Sequence, residues 1–266
     1  MNRLNKLFKE KQKRILNIYF TAGYPSLNDT MQIAKALEES GADLIEIGMP
    51  YSDPVADGPT IQESNQRSLD NGMTVELLFE QLANLRQAVK IPVILMGYFN
   101  PVMQYGVERF CQRCKEIGID GLIIPDLPLA VYERDYQKTF EANGLSNVFL
   151  ITPQTSDERI NKIDQLSSSF IYMVSSASVT GAKQVVSQDQ QTYFERINQL
   201  QLSSPKLIGF GISNGDTFDA ACRNANGAII GSAFIKMLND SKDLENDIKR
   251  FCKNILNREN VPIANK

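Results

Sequence analysis

The chain of 266 residues contains no histidine. This removes imidazole acid–base chemistry, histidine-activated nucleophiles and histidine metal ligands, so proton transfer must use carboxylates, Tyr, Lys or Cys. Its four cysteines are scattered, which suits a reducing compartment and not a disulfide framework. Cys111 and Cys114 match C-x-x-C, but they stand in a predicted helix without a second pair, so neither zinc nor redox use is expected. No apolar run is long enough to span a bilayer, and no apolar segment follows the basic N-terminus as a signal peptide would require. The expected location is therefore the cytoplasm. Charge of neither sign is in excess: a net charge of −3 gives no field for nucleic acid or an anionic membrane.

What is present is an alternation. At 42% hydrophobic and 22% charged, the composition is that of a globular protein. Residues 3–14 read as a short amphipathic basic helix with Leu4, Leu7 and Phe8 on one face, suited to closing one end of a barrel. Short apolar runs then follow at 15–20, 43–47, 92–96, 121–124, 148–151, 170–174, 206–209 and 227–230. They are apolar nearly throughout, as parallel strands covered on both faces should be. Helical patterns separate them at about 28–40, 60–70 with 75–89, 106–117, 130–143, 156–166, 189–200 and 215–224, and a last helix is expected from about 234 to 256. Eight strand–helix units predict an α/β fold, a (β/α)8 TIM barrel with an extra N-terminal helix, as one domain over residues 1–256. Residues 257–266 are polar and predicted to fray. The alternative is a doubly wound open sheet, but the first turn, Thr21-Ala22-Gly23-Tyr24-Pro25, lacks its Gly-rich fingerprint.

In such a barrel the chemistry sits at the C-terminal ends of the strands. The second strand runs into a loop of three prolines (Pro50, Pro54, Pro59) and two glycines (Gly48, Gly58) that carries Asp53 and Asp57. Glu46 lies inside the apolar run itself, where an ionised carboxylate is costly. The plain alternative is a core Glu with a backbone partner and an Asp that caps a helix. After the seventh and eighth strands come Gly209-Phe210-Gly211-Ile212-Ser213 and Gly231-Ser232, each ahead of a predicted helix. Small residues before helix N-termini suit an anion, and phosphate sites recur at this place in barrels, although glycines there also make tight turns. No lysine stands at a predicted strand end, so a Schiff-base aldolase lacks its nucleophile. Two carboxylates then suggest acid–base catalysis on a phosphorylated substrate, and no metal site is expected. Apolar and aromatic strand ends, including Tyr19, Met96, Tyr98, Ile123, Ile151, Tyr172 and Phe210, suggest that the rest of that substrate is flat and apolar.

The motifs Tyr19-Phe20-Thr21-Ala22-Gly23-Tyr24-Pro25, Glu46 through Pro59, Met96-Gly-Tyr-Phe-Asn-Pro101, Val179-Thr-Gly181, Gly209-Phe-Gly-Ile-Ser213 and Gly231-Ser232 occur in the order and spacing of one family. Over residues 1–256 the chain resembles the alpha subunits of tryptophan synthase. The resemblance implies a lyase that cleaves indole-3-glycerol phosphate to indole and glyceraldehyde 3-phosphate by a retro-aldol reaction in tryptophan biosynthesis. It implies Glu46 as the acid–base group at indole C3 and the glycerol hydroxyl, and Asp57 as the group that takes the indole N–H proton and stabilises the charge on the ring as the C–C bond breaks. Tyr19, Met96, Ile123, Ile151 and Tyr172 would hold the indole. Gly181, Gly211, Gly231 and Ser232 would hold the phosphate, with Phe210 beside them, and Thr180 would close toward Asp57. On this reading Asp57 lies in a solvated loop and stays ionised, while burial raises the pKa of Glu46. The family pattern has Gly where this chain has Ser178. The implied partner is a beta subunit in an α2β2 assembly, with pyridoxal phosphate bound by that partner and no cofactor in this chain. Two rival readings stay open: another phosphate-binding barrel enzyme, which would usually need a His or Lys at a strand end, and a barrel that only regulates a partner.

Overall fold

The structure is a computed structural model that describes residues 2–174, 187–209 and 211–256. Within these residues the strands are β1 (Ile15–Thr21), β2 (Leu44–Gly48), β3 (Val93–Met96), β4 (Gly121–Ile123), β5 (Ser146–Asn147), β6 (Phe149–Ile151), β7 (Ile171–Val174), β8 (Lys206–Gly209) and β9 (Gly227–Ile230). All pair in parallel, in the order β5-β4-β3-β2-β1-β9-β8-β7-β6. The two ends of this order, β5 and β6, are consecutive in the chain and separated only by Val148. One extended stretch thus pairs with β4 through its first half and with β7 through its second, which closes the sheet into a barrel. The eight expected strands are present, and the fifth is split in two.

Every residue of β1 and β2 is buried, because the barrel interior covers one face and the helices the other. Ile15, Leu44, Ile94, Ile123, Phe170 and Ile229 belong to the inner cluster. Their neighbours of opposite phase, such as Leu16, Ile45, Leu95 and Leu122, pack in the larger layer beneath the helices. The helix Arg3–Glu10 plugs the lower end of the interior: Leu4 and Phe8 join the inner cluster, and Phe8 meets Phe170 with ring centroids 5.3 Å apart. Asn2 caps this helix by accepting the Asn5 N–H. Arg3 and Arg86 both pair with Asp120, which is 1% exposed and also accepts the Val93 N–H. Loss of either arginine would leave a buried charge short of a partner.

Two expected helices change their bounds and one helix is new. The N-terminal helix ends at Glu10, not Arg14, because Lys11 turns extended and its ammonium binds Asp43. A helix not expected from the sequence, Phe99–Tyr105, follows β3. Its Pro101 lies in the first turn, where no N–H is needed, and Asp126 in the turn after β4 accepts the Phe99 N–H. The expected last helix is two, Ser232–Asp240 and Leu244–Leu256. Between them Asp247 accepts from the Ser241 hydroxyl and the Lys242 N–H, which draws the chain out of helical geometry. The tail 257–266 lies outside the described residues.

Candidate active site

The site begins with the register of β1 against β2. Asn17 stands opposite Leu44, Tyr19 opposite Glu46 and Thr21 opposite Gly48. Gly48 leaves its place to the Tyr19 hydroxyl, with which a Cβ would overlap. Across the barrel, Gly209 on β8 makes the same room for the hydroxyl of Tyr172 on β7. Two glycines therefore let two tyrosines lean across the upper interior.

Glu46 is 1% exposed, and its Oε2 accepts a hydrogen bond of 2.9 Å from Asn17 Nδ2. Burial pushes its carboxyl up to about 8; the Asn17 hydrogen bond opposes the rise and the Asp57 carboxylate adds to it. Asp57 precedes Gly58, the N-cap of the helix Pro59–Asp70. It is not solvated, which corrects the reading from the sequence: it is 6% exposed, and Tyr98 encloses it. The Tyr98 hydroxyl accepts the Ala56 N–H and donates to Asp57 Oδ2, both at 2.9 Å, while the ring stacks on Tyr51. Burial raises the Asp57 carboxyl to about 6, against the effect of the Tyr98 hydrogen bond. Glu46 thus keeps its proton to higher pH than Asp57 does. Burial first, and the charges of Glu46 and Asp57 after it, push the Tyr19 and Tyr172 hydroxyls well above their ordinary range, so both stay neutral. Asp53 is exposed and stands apart from this pair.

Met96 ends β3 and Ile123 ends β4, both against the inner cluster. Ile151 does not join them, a second correction. It is fully buried in the outer layer, whereas Leu150 packs on the inner cluster. Successive strand residues face opposite sides, so only one of these two can look inward.

The turns after β8 and β9 differ. The helix Gly215–Asn224 is already capped, because Asn214 accepts the Thr217 N–H and Thr217 reaches back. The helix Ser232–Asp240 begins at Gly231 with no side-chain cap, so its first N–H groups are left for a ligand anion. Gly231 faces Tyr19 and Ile61 and so adjoins the carboxylate layer. Gly211 has a φ of 79° with open space where a side chain would stand. Thr180, Gly181, Phe210 and Ser178 lie outside the described residues. Among the described residues, no three Cys, Asp or Glu side chains gather as a metal site would require.

Asn17, Leu150 and the polar role of Tyr98 escaped the reading of the sequence. The signal for Asn17 was legible: it is an amide in an apolar strand, two residues from Tyr19 and so on the same face.

The arrangement is one of two carboxyls of different proton affinity under a ring of apolar and phenolic side chains, beside an uncapped helix N-terminus. The family model for the tryptophan synthase alpha chain matches residues 5–261. This chain belongs to that family. It is 61% identical to the tryptophan synthase alpha chain of Flavobacterium psychrophilum over 91% of its length and 95% of that chain's. Against the alpha chain of Flavobacterium johnsoniae the identity is 63% over the same shares. The solved tryptophan synthase subunit alpha of Legionella pneumophila superposes with a TM-score of 0.85 at 31% identity, covering 96% of this chain and 97% of that one. As a family member the chain is a carbon–carbon lyase of tryptophan biosynthesis that acts on indole-3-glycerol phosphate, and its partner is the beta subunit of the same enzyme.

Proposed function

We propose that Glu46 and Asp57 divide the chemistry of the retro-aldol cleavage between them. The observation that carries this reading is their unequal setting: Glu46, 1% exposed on β2, has one hydrogen bond from Asn17, whereas Asp57, 6% exposed on the loop that follows, is held by the Tyr98 hydroxyl, and burial raises the proton affinity of Glu46 the more. Glu46, protonated at neutral pH, donates its proton to indole C3. The ring becomes a cationic indoleninium, and Asp57 accepts a hydrogen bond from the ring N–H and stabilises that charge. The Glu46 carboxylate then takes the proton of the glycerol hydroxyl. The bond between C3 and the glycerol carbon breaks, its electron pair restores the indole ring, and glyceraldehyde 3-phosphate leaves as the aldehyde. Glu46 ends protonated, as it began.

Tyr19, Met96, Ile123, Leu150 and Tyr172 hold the indole, and Gly211, Gly231 and Ser232 hold the phosphate. Gly181 and Phe210 complete the phosphate end in this reading, and Thr180 closes toward Asp57; such closure excludes water. Residues 1–256 act as one domain. No cofactor is needed in this chain, and pyridoxal phosphate belongs to the beta partner of an α2β2 assembly. The loop around 52–59 faces that partner, in keeping with a Val55 that is 85% exposed. The enzyme works in the cytoplasm; no helix among the described residues is long and apolar enough to cross a membrane.

The test is indole release from indole-3-glycerol phosphate, by the chain alone and with a beta subunit, for the parent, Glu46→Gln and Asp57→Asn. Slow release that the partner accelerates, and its loss in both variants with the fold intact, is the expected result. An active Glu46→Gln protein would overturn the assignment. A chain that releases no indole but still stimulates its partner would be a regulator instead.

A further inference from the structure

We propose that Asn17 is a positioning residue for this reaction, holding the Glu46 carboxyl in both of its protonation states by turning its amide over. The proposal rests on the role given to Glu46 above. Asn17 is fully buried, and its register partners are Leu44 on one side and Ile229 on the other, both in the inner cluster. Glu46 in turn stands opposite Ile94. An amide in so apolar a layer costs free energy unless its polar atoms are used. Its Nδ2 is used, at 2.9 Å from Glu46 Oε2, but its Oδ1 is buried and has no hydrogen-bond partner.

An unpaired acceptor beside the catalytic carboxyl has a simple use. During turnover Glu46 alternates between acid and carboxylate. The carboxylate needs a donor, and the acid needs an acceptor for its O–H while it waits to deliver the proton. A side-chain amide carries one of each on the two sides of one bond, and rotation about that bond exchanges them. Leu at this position would offer neither, and Asp would offer only an acceptor with a charge of its own. The other titratable groups facing Glu46 are Tyr19 on β1, Asp57 on the loop after β2 and Tyr172 on β7. Neither phenol is hydrogen-bonded to Glu46, the Tyr19 hydroxyl lying 3.4 Å from that of Thr21, and Asp57 is held by Tyr98, so among the described residues Asn17 is the neighbour in contact with the Glu46 carboxyl that can serve both states.

The experiment measures kcat, KM and the pH dependence of kcat for indole release by Asn17→Leu and Asn17→Asp, each with a beta subunit, alongside Glu46→Gln. Asn17→Leu removes both bonds, and because the one to the charged carboxylate is the stronger, its loss outweighs loss of the acceptor for the acid and raises the pH at which the proton is lost. The alkaline limb of kcat should therefore move upward by about one pH unit in Asn17→Leu, with kcat at its plateau about tenfold lower and KM little changed. Asn17→Asp should move the limb further in the same direction, since a second carboxylate repels the ionised Glu46, and it serves alone if Asn17→Leu does not fold. A limb and a kcat unchanged from the parent in a folded variant would overturn the proposal, because a space-filling role predicts that only thermal stability moves. With Glu46→Gln inactive, that result removes Asn17 alone. Turnover by Glu46→Gln would remove the role of Glu46 and that of Asn17 with it.

Discussion

A carboxyl kept inside a barrel should weaken the fold, and Glu46 makes the cost measurable. Its proton affinity rises from an ordinary value near 4.5 to about 8 on folding, chiefly through burial. Between those two values the unfolded chain has released the proton and the native state has kept it. The native state then binds more protons, so stability falls as pH rises, by about 1.4 kcal/mol per pH unit. Carried across the interval, the contribution present in full below the unfolded value and lost above the folded one is on the order of 5 kcal/mol. Asp57, raised from 3.8 to about 6, acts in the same direction over a lower window. Replacing Glu46 with Gln retains an oxygen to accept the Asn17 hydrogen bond and removes the ionisation. Urea unfolding of the parent and of Glu46→Gln at pH values from 5 to 9 should therefore diverge. The variant should gain on the parent steadily as pH rises and lead by roughly 3 to 5 kcal/mol at the alkaline end, while losing turnover. Parallel stability curves would refute the reasoning, since they would mean that Glu46 ionises in the native state as readily as in the unfolded chain.

Tyr98→Phe removes the hydroxyl that donates to Asp57 Oδ2, so the acid limb of kcat should move to higher pH and kcat should fall about tenfold; an unmoved acid limb counts against Asp57 as the ionised partner. Leu150→Ala should raise KM for indole-3-glycerol phosphate, whereas Ile151→Ala should leave KM alone and cost about 2–4 kcal/mol in denaturant unfolding. The reverse pattern would show that the phase of this strand has been misassigned. Gly227→Ala places a Cβ against the backbone of Ile15 where β9 meets β1, and a loss of about 2 kcal/mol or more in thermal or urea unfolding is expected. Parent-like stability would mean that the two strands can part there at little cost.

Much of this molecule was legible before its structure. The strand positions followed from apolar runs, and the closing helix from Leu4 and Phe8 at helical spacing. That two carboxyls would stand together was expected from a Glu inside an apolar run and a loop dense in proline, and both are buried. The helix Phe99–Tyr105 was not legible, because Pro101 reads as a breaker until it is seen in a first turn. The split at Ser241 was not legible either. The apolar spacing of Leu244, Ile248, Phe251 and Ile255 extends a helical pattern back toward residue 234, and the side-chain bonds of Asp247 that end it are polar and local.

The sequence by itself determined the class of fold and the chemistry available. Without histidine, and with no lysine at a predicted strand end, it pointed to carboxylates as the groups to move protons, and it placed Glu46 on a strand and Asp57 on the loop that follows. Only the tertiary structure decided which side of each strand faces the substrate. Strands buried on both faces show no alternation of polar and apolar residues, so the choice between Leu150 and Ile151 has no local signature. It also decided that Asp57 is enclosed, because Tyr98 arrives from the turn after β3, 41 residues away. The pairing of Asn17 with Glu46 likewise depends on the register of two neighbouring strands and the closure of the barrel around them. Proton affinity depends on the surroundings of a carboxyl, and those surroundings are assembled from distant parts of the chain.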